Sequence, residues 1–288
     1  MSESWNEAVP DPAPPPGLAG WLRVTLRGPA LVLLVFGGLG VLLLLRLAER
    51  PLCGLRRPVT PHITKFVCRN ALRILGVELL IRGHPMGGQG AMVANHSSWL
   101  DIFVLNAVDC IYFVSKSEVA RWPGIGWLAR ATGTLFIRRD RREARAQTAL
   151  LETRLLAGHR LLFFPEGTST DGLQVLPFKS TLFQAFLSPA LKDRLAVQPA
   201  SVFYAAPPLM GGAASPRFHG WWGEMDFAPH LLKVLAAPRG GRVGVILHAP
   251  LRVRDFADRK TLAAQAGAAV EAGHRELREH LPARPDRA

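Results

Sequence analysis

A histidine followed five residues later by an aspartate stands in the stretch Asn95-His96-Ser97-Ser98-Trp99-Leu100-Asp101, directly after the apolar run Ala91 to Ala94. Placed at a strand end with a helix beginning, the Asp101 carboxylate can turn back and accept one imidazole N–H. That would fix the tautomer of His96 and raise the basicity of its other nitrogen, the arrangement of a general base that takes a proton from a hydroxyl. The same spacing also describes an ordinary capping or surface pair, so spacing alone leaves both readings open. A second stretch, Phe163-Phe164-Pro165-Glu166-Gly167-Thr168-Ser169-Thr170, again follows an apolar strand and presents a carboxylate beside backbone donors. On its own it reads equally as a turn with a helix cap.

The elements that must position these residues follow from apolar periodicity. Short apolar runs at Val77 to Ile81, Ala91 to Ala94, Ile111 to Val114, Leu135 to Ile137, Leu161 to Phe164, Val197 to Phe203 and Val243 to Leu247 predict strands. Helices are predicted at Trp99 to Val108, Gly124 to Ala131, Arg141 to Ala157, Ser180 to Phe186 and Arg259 to His280. The alternation predicts an α/β domain over residues 77–288 with a mixed sheet flanked by helices.

Ahead of it, Gly28 to Leu45 contains no charged residue, and as a helix this run is roughly 27 Å long, close to the hydrocarbon thickness of a bilayer. Arg23 and Arg27 precede it and Arg46, Arg50, Arg56 and Arg57 follow, as expected for charges held at lipid headgroups. A membrane-anchoring helix is therefore predicted within residues 18–76. Gly37, Gly38 and Gly40 at its centre leave spanning and dipping both open. Residues 61–76 place Ile63, Phe66, Val67, Leu72 and Leu75 apart from Lys65, Arg69 and Arg73, the pattern of an amphipathic helix at the membrane interface or on a protein surface. The proline-rich residues 1–17 read as a disordered tail.

Composition narrows the partners. With 35 Lys and Arg against 22 Asp and Glu, the formal net charge of 288 residues is +13, which calls for an anionic partner: nucleic acid, an anionic membrane surface or an acidic substrate. The positive charge is spread along the chain and an apolar anchor has no role in a nucleic-acid binder, so anionic membrane lipids are the expected partner and nucleic acid is not. Cys53, Cys68 and Cys110 form no CxxC pair, and no histidine or carboxylate spacing points to a metal site. A serine hydrolase is disfavoured by the lack of a GxSxG elbow.

Taken together, the two stretches resemble the glycerolipid and lysophospholipid acyltransferase family, whose first block reads NHxxxxD and whose third reads FPEGT. The family's second block is matched between them by Gly133-Thr134-Leu135-Phe136-Ile137-Arg138-Arg139, and its fourth by Val197-Gln198-Pro199-Ala200. The resemblance implies transfer of a fatty acyl group from acyl-CoA or acyl carrier protein to the free hydroxyl of a lysolipid. His96 would be the base and Asp101 its orienter, with no cofactor or metal. It implies acceptor-binding roles for Arg139, Glu166, Gly167 and Thr168, with backbone amides near Gly167 or after Asn95 as oxyanion donors. It also implies a cell inner membrane location with the active site at the cytoplasmic face. A scaffold without activity would be expected to lack His96 or Asp101. The acceptor expected first is 1-acylglycerol-3-phosphate. However, members acting on it usually continue FPEGT with an arginine, and here that position is Ser169. Trp221 to His230 resembles a segment of a bacterial branch that includes lyso-ornithine lipid acyltransferases, which makes lyso-ornithine lipid the alternative acceptor.

Overall fold

Alternation along the central strands decides the layering. In β2 (Gly90–Ala94), Ala91 and Val93 pack into one apolar cluster while Met92 and Ala94 pack into another on the opposite face. In β5 (Leu161–Phe163), Leu161 and Phe163 divide from Leu162 in the same way. The computed structural model describes residues 15–122, 124–138, 141–207 and 215–281. In it, both strands lie inside an eight-stranded mixed sheet with helices on each face.

The other strands are β1 (Glu78–Arg82), β3 (Tyr112–Lys116), β4 (Leu135–Ile137), β6 (Ala196–Ala205), β7 (Arg242–Leu247) and β8 (Leu251–Arg252). Their order is β1-β7-β6-β2-β5-β3-β4, with β8 pairing β6. Strands β2, β3, β4, β5 and β6 run parallel, and β7 turns antiparallel to β6. One face carries α2 (Thr60–Leu75), α3 (Leu100–Val108) and α6 (Phe227–Ala236). The other carries α5 (Ala144–Leu156), a 3-10 segment at Ser180–Leu187 and α7 (Arg259–His280). Between β3 and β4 lies α4 (Ile125–Thr132). The mixed α/β sheet and the seven expected strands are thus present. The segment near Ser180 forms 3-10 turns and not an α-helix, and α6 and β8 are additions.

The apolar N-terminal helix is much longer than its uncharged run. α1 (Leu18–Cys53) has 36 residues, about 54 Å of helix, and is long and apolar enough to cross a membrane. A protein-facing stripe through Gly20, Val24, Leu31, Leu34, Val35, Leu39, Leu42 and Glu49 nevertheless runs its whole length, at the three-and-four spacing of one helix face. It packs on α6 near its start and on α2 beyond, leaving Leu22, Leu26, Leu33, Leu44 and Leu47 exposed on the outside.

The basic residues around this helix have protein partners. Arg23 donates to the Ala236 carbonyl at 2.9 Å, and Arg27 to those of Leu235 and Ala237 at 3.1 and 2.7 Å. The two side chains therefore satisfy the open C-terminal carbonyls of α6. Arg46 donates to Glu49 at 3.0 Å and to the Gly54 carbonyl at 3.1 Å. Glu49 in turn accepts the Val59 and Thr60 amides and the Thr60 hydroxyl, so a carboxylate from α1 caps the N-terminus of α2. Finally, α2 lies between α1 and α3, with Cys68, Ala71, Leu72 and Leu75 buried and Arg69 donating to the Ala107 carbonyl at the end of α3. It is thus a packed helix on the sheet layer, and Phe66 is the large apolar side chain it leaves exposed.

Candidate active site

The end of β2 is fixed by Asn95, whose side chain imitates a strand partner: its amide donates to the Val202 carbonyl and its oxygen accepts the Val202 amide, both at 2.8 Å. The chain then turns into α3. There Asp101, in the first helical turn and fully buried, points back at the loop that precedes it. Its Oδ2 lies 2.8 Å from His96 Nδ1 and accepts the Ser97 and Ser98 amides at 2.8 and 3.0 Å. Two amide donors on that oxygen mark it as an acceptor, so the imidazole proton sits on Nδ1 and Nε2 carries the lone pair. The ring of Phe164 stacks on the imidazole at 4.0 Å and 9°, fixing its plane. About a fifth of the His96 side chain is exposed, whereas its partner is sealed.

Tyr204 completes the carboxylate's surroundings, a role that no motif in the sequence marks. Its hydroxyl donates to Asp101 Oδ1 at 2.7 Å. Burial and the neighbouring Asp101 charge hold this phenol well above its usual pKa, so it remains a donor. The parallel register sets Ala94 beside Ala200, and the period of two then turns Ala200, Val202 and Tyr204 to the face that carries α3. A strand pattern shows such a tyrosine only as another apolar position.

The second loop closes on the first. Glu166 is buried, and its Oε1 accepts the His96 amide at 3.2 Å. The Thr170 amide donates to the His96 carbonyl at 2.9 Å, and the Trp221 amide to that of Ser97 at 2.8 Å. Burial pushes the Glu166 carboxyl up to about 9, reinforced by the like charge of Asp101 and opposed by the His96 and Leu176 amides and by Lys179. At neutral pH this side chain is a neutral acid that ties two loops together. Gly167 turns the chain at φ 76°, a left-handed conformation that favours glycine.

Of the residues expected here, His96, Asp101, Glu166, Gly167 and Thr168 converge at the neighbouring ends of β2 and β5. Arg139 lies outside the described residues, and Arg138 beside it pairs with Glu143 on the surface. Among the amides near Gly167 and after Asn95, that of Gly167 closes a turn onto the Phe164 carbonyl and those of Ser97 and Ser98 serve Asp101, so these three are engaged within the protein. His219 and His230 are buried and held neutral, down to about 3 and about 4, chiefly by desolvation. His219 lies 2.8 Å from the Gly240 carbonyl, and His230 accepts the Trp99 indole N–H at 2.9 Å. Among the described residues no group of three or more His, Cys, Asp or Glu side chains converges as a metal site.

Residues 76–202, which contain His96, Asp101 and Glu166 but not Tyr204, match the family model described as Acyltransferase. The chain is 57% identical to the lyso-ornithine lipid O-acyltransferase of Rhodobacter capsulatus, over 93% of its own length and 96% of the relative's. The chain belongs to the acyltransferase family. A second relative of this acyltransferase, the lyso-ornithine lipid O-acyltransferase of Pseudomonas aeruginosa, is 35% identical over 86% of the chain and 92% of the relative. The 1-acyl-sn-glycerol-3-phosphate acyltransferase of Neisseria gonorrhoeae is 39% identical, but over 43% of the chain and 50% of the relative. The fold of the acyltransferase matches the crystal structure of the 1-acyl-sn-glycerophosphate acyltransferase from Thermotoga maritima, with a TM-score of 0.60 at 22% identity over 91% of this chain and 94% of that one.

Proposed function

We propose that this acyltransferase moves a fatty acyl group from acyl-CoA or acyl carrier protein to the hydroxyl of lyso-ornithine lipid. The observation that carries the acceptor is the 57% identity across nearly the full length of a lyso-ornithine lipid O-acyltransferase, whereas the likeness to the Neisseria glycerol-phosphate enzyme stops at under half the chain. The acceptor expected first from the motifs, 1-acylglycerol-3-phosphate, therefore gives way to the alternative. Ser169 agrees with that order, because without an arginine at this position the loop lacks a bidentate partner for a phosphate dianion.

In the proposed mechanism His96 Nε2 takes the proton of the acceptor hydroxyl while Asp101 holds Nδ1–H and stabilises the imidazolium. The alkoxide oxygen attacks the thioester carbonyl, and the tetrahedral oxyanion collapses with loss of the thiolate. The proton on Nε2 then passes to the departing sulfur, so no acyl-enzyme is formed. The amides of Thr168 and Ser169 are offered as oxyanion donors, since neither donates to a protein atom among the described residues. Glu166 acts by holding the His96 backbone, and Arg139 is retained as a head-group contact from the family motif. The apolar outer face of α1 rests in the cell inner membrane with His96 on the cytoplasmic side, where acyl donors are made.

The test is acyl transfer in detergent micelles with a labelled acyl thioester, offering lyso-ornithine lipid and lysophosphatidic acid separately to wild type and His96→Ala. Wild type is expected to favour lyso-ornithine lipid, and the variant to lose at least about a hundredfold in rate, as for a missing general base. Equal rates for wild type and variant would sink the mechanism. A preference for lysophosphatidic acid would return the acceptor first expected.

A further inference from the structure

At the opposite end of the central strands from the site, an open cleft of about 970 Å³ lies where α1 and α2 meet the starts of β2, β3 and β5. That is a volume ordinary for ligand sites. Gln89 on its wall is seven residues before His96, roughly 20 Å away along an extended strand, so this cleft is separate from the reaction centre. Four permanently cationic side chains line it, Arg56, Arg57, Lys65 and Arg160, against one carboxylate, Asp109, which is paired to Arg160.

Its wall also holds buried donors with nothing to bind. Arg57 Nε, Arg160 Nε and the Tyr112 hydroxyl are sealed from solvent and have no hydrogen-bond partner among the described residues. Arg57 and Arg154 flank the Tyr112 ring at 5.6 and 5.0 Å, and neither forms an ion pair with a carboxylate among the described residues. Glu49, whose charge reaches Arg57, is engaged with Arg46 and the start of α2. Desolvation and the Arg57 charge hold the Arg154 guanidinium down to about 10. His159, kept neutral by burial at about 4, supplies only a ring nitrogen at 2.5 Å from Arg154 Nε. Half-buried cations without a counter-ion call for an anion.

We propose that this cleft binds a phosphate group. The cationic side chains of Arg56, Arg57, Lys65 and Arg160, set on separate elements around the cleft, match an anion with several oxygens better than a carboxylate with two. The nearest source is a phospholipid headgroup, because Leu52, Leu55 and Val59 stand exposed beside the cleft and continue the apolar outer face of α1. The bound headgroup would supply the counter-charge that the junction of α1 and α2 lacks.

Cys110 and Cys53 are both half-buried on the cleft wall, whereas Cys68 is buried elsewhere, so alkylation by a small maleimide, resolved for Cys110 by peptide mass spectrometry, reports occupancy. The full chain in neutral detergent micelles would be treated with phosphatidylglycerol, phosphatidylcholine or inorganic phosphate. Phosphatidylglycerol at ten times its dissociation constant is expected to slow Cys110 alkylation about tenfold by mass action, with phosphatidylcholine far weaker. Protection by inorganic phosphate alone would assign the site to a free phosphate, and protection by the anionic lipid alone to a headgroup; either supports the proposal. The double variant Arg56→Ala/Lys65→Ala, at the rim, and Tyr112→Phe, which removes an unpartnered hydroxyl, are each checked for an unchanged melting temperature. Both are expected to weaken protection. Equal slowing by the two lipids, or full protection persisting in both variants, overturns the proposal.

Discussion

Glu166 is the residue whose chemistry the structure changes most. The motif leaves it a contact to polar groups of the acceptor or a part in the loop geometry, and the side chain is buried, neutral at pH 7, and bonded to the amide of His96. Glu166→Gln keeps an acceptor oxygen at the same place and is expected to retain acyl transfer within a few-fold, whereas Glu166→Ala should lose about tenfold, the worth of one buried hydrogen bond. The same residue makes stability depend on pH. Its folded pKa is raised from the ordinary 4.5 to about 9, so the unfolded chain releases this proton first as pH rises. The stability Glu166 contributes is complete below about 4.5, declines above it, and is lost on passing about 9. Thermal melts at several pH values should show a flatter decline for Glu166→Gln; parallel curves for the two proteins would contradict the assignment. His96 and Asp101 were legible because the motif preserves both residues and their spacing. Tyr204, 103 residues beyond Asp101, was not, since the register of β6 against β2 alone brings it there.

At the scale of elements, the strands were visible because each is a short apolar run between turn residues, and the packing of helices on one another was not. Gly38 shows why. In the sequence it is one of three glycines in an apolar helix, but a Cβ there would come within 2.3 Å of Val67 Cγ2 in α2, while Gly37 and Gly40 face open space. Gly38→Ala should therefore destabilise the α1–α2 contact by about 1–3 kcal/mol, the usual cost of overpacking, and Gly40→Ala should be neutral or slightly stabilising. Melting temperatures in one detergent compare the two directly, and equal behaviour would count against the close contact. The partners of the arginines were hidden for a related reason: composition places a cation near a helix end, but which carbonyls it meets depends on what packs beside it, as the bonds from Arg23 and Arg27 to the end of α6 show.

For the molecule as a whole, α1 runs between the two ends of the central strands. It starts beside α6, whose partner Trp99 adjoins the His96 loop, and ends at the basic cleft. One face of α1 packs on the protein and the other stays exposed and apolar, so the exposed face is the one expected to meet lipid. Placing charges on that face, as in Leu22→Glu/Leu33→Glu, is expected to shift the protein from the vesicle-bound to the soluble fraction in flotation assays. Each leucine contributes roughly 1.5–3 kcal/mol when buried. Undiminished flotation would reject this orientation.

Asp101 also bears on how such an enzyme can change its substrate. Three donors, His96, Ser97 and Ser98, meet on its Oδ2, Tyr204 holds Oδ1, and the side chain has no exposed surface. The residue that governs the base is thus closed to any lipid, and recognition of the head group falls to other side chains. Positions such as Ser169 can drift, and the chain can come to serve a different membrane lipid, while the proton-transfer apparatus remains as inherited.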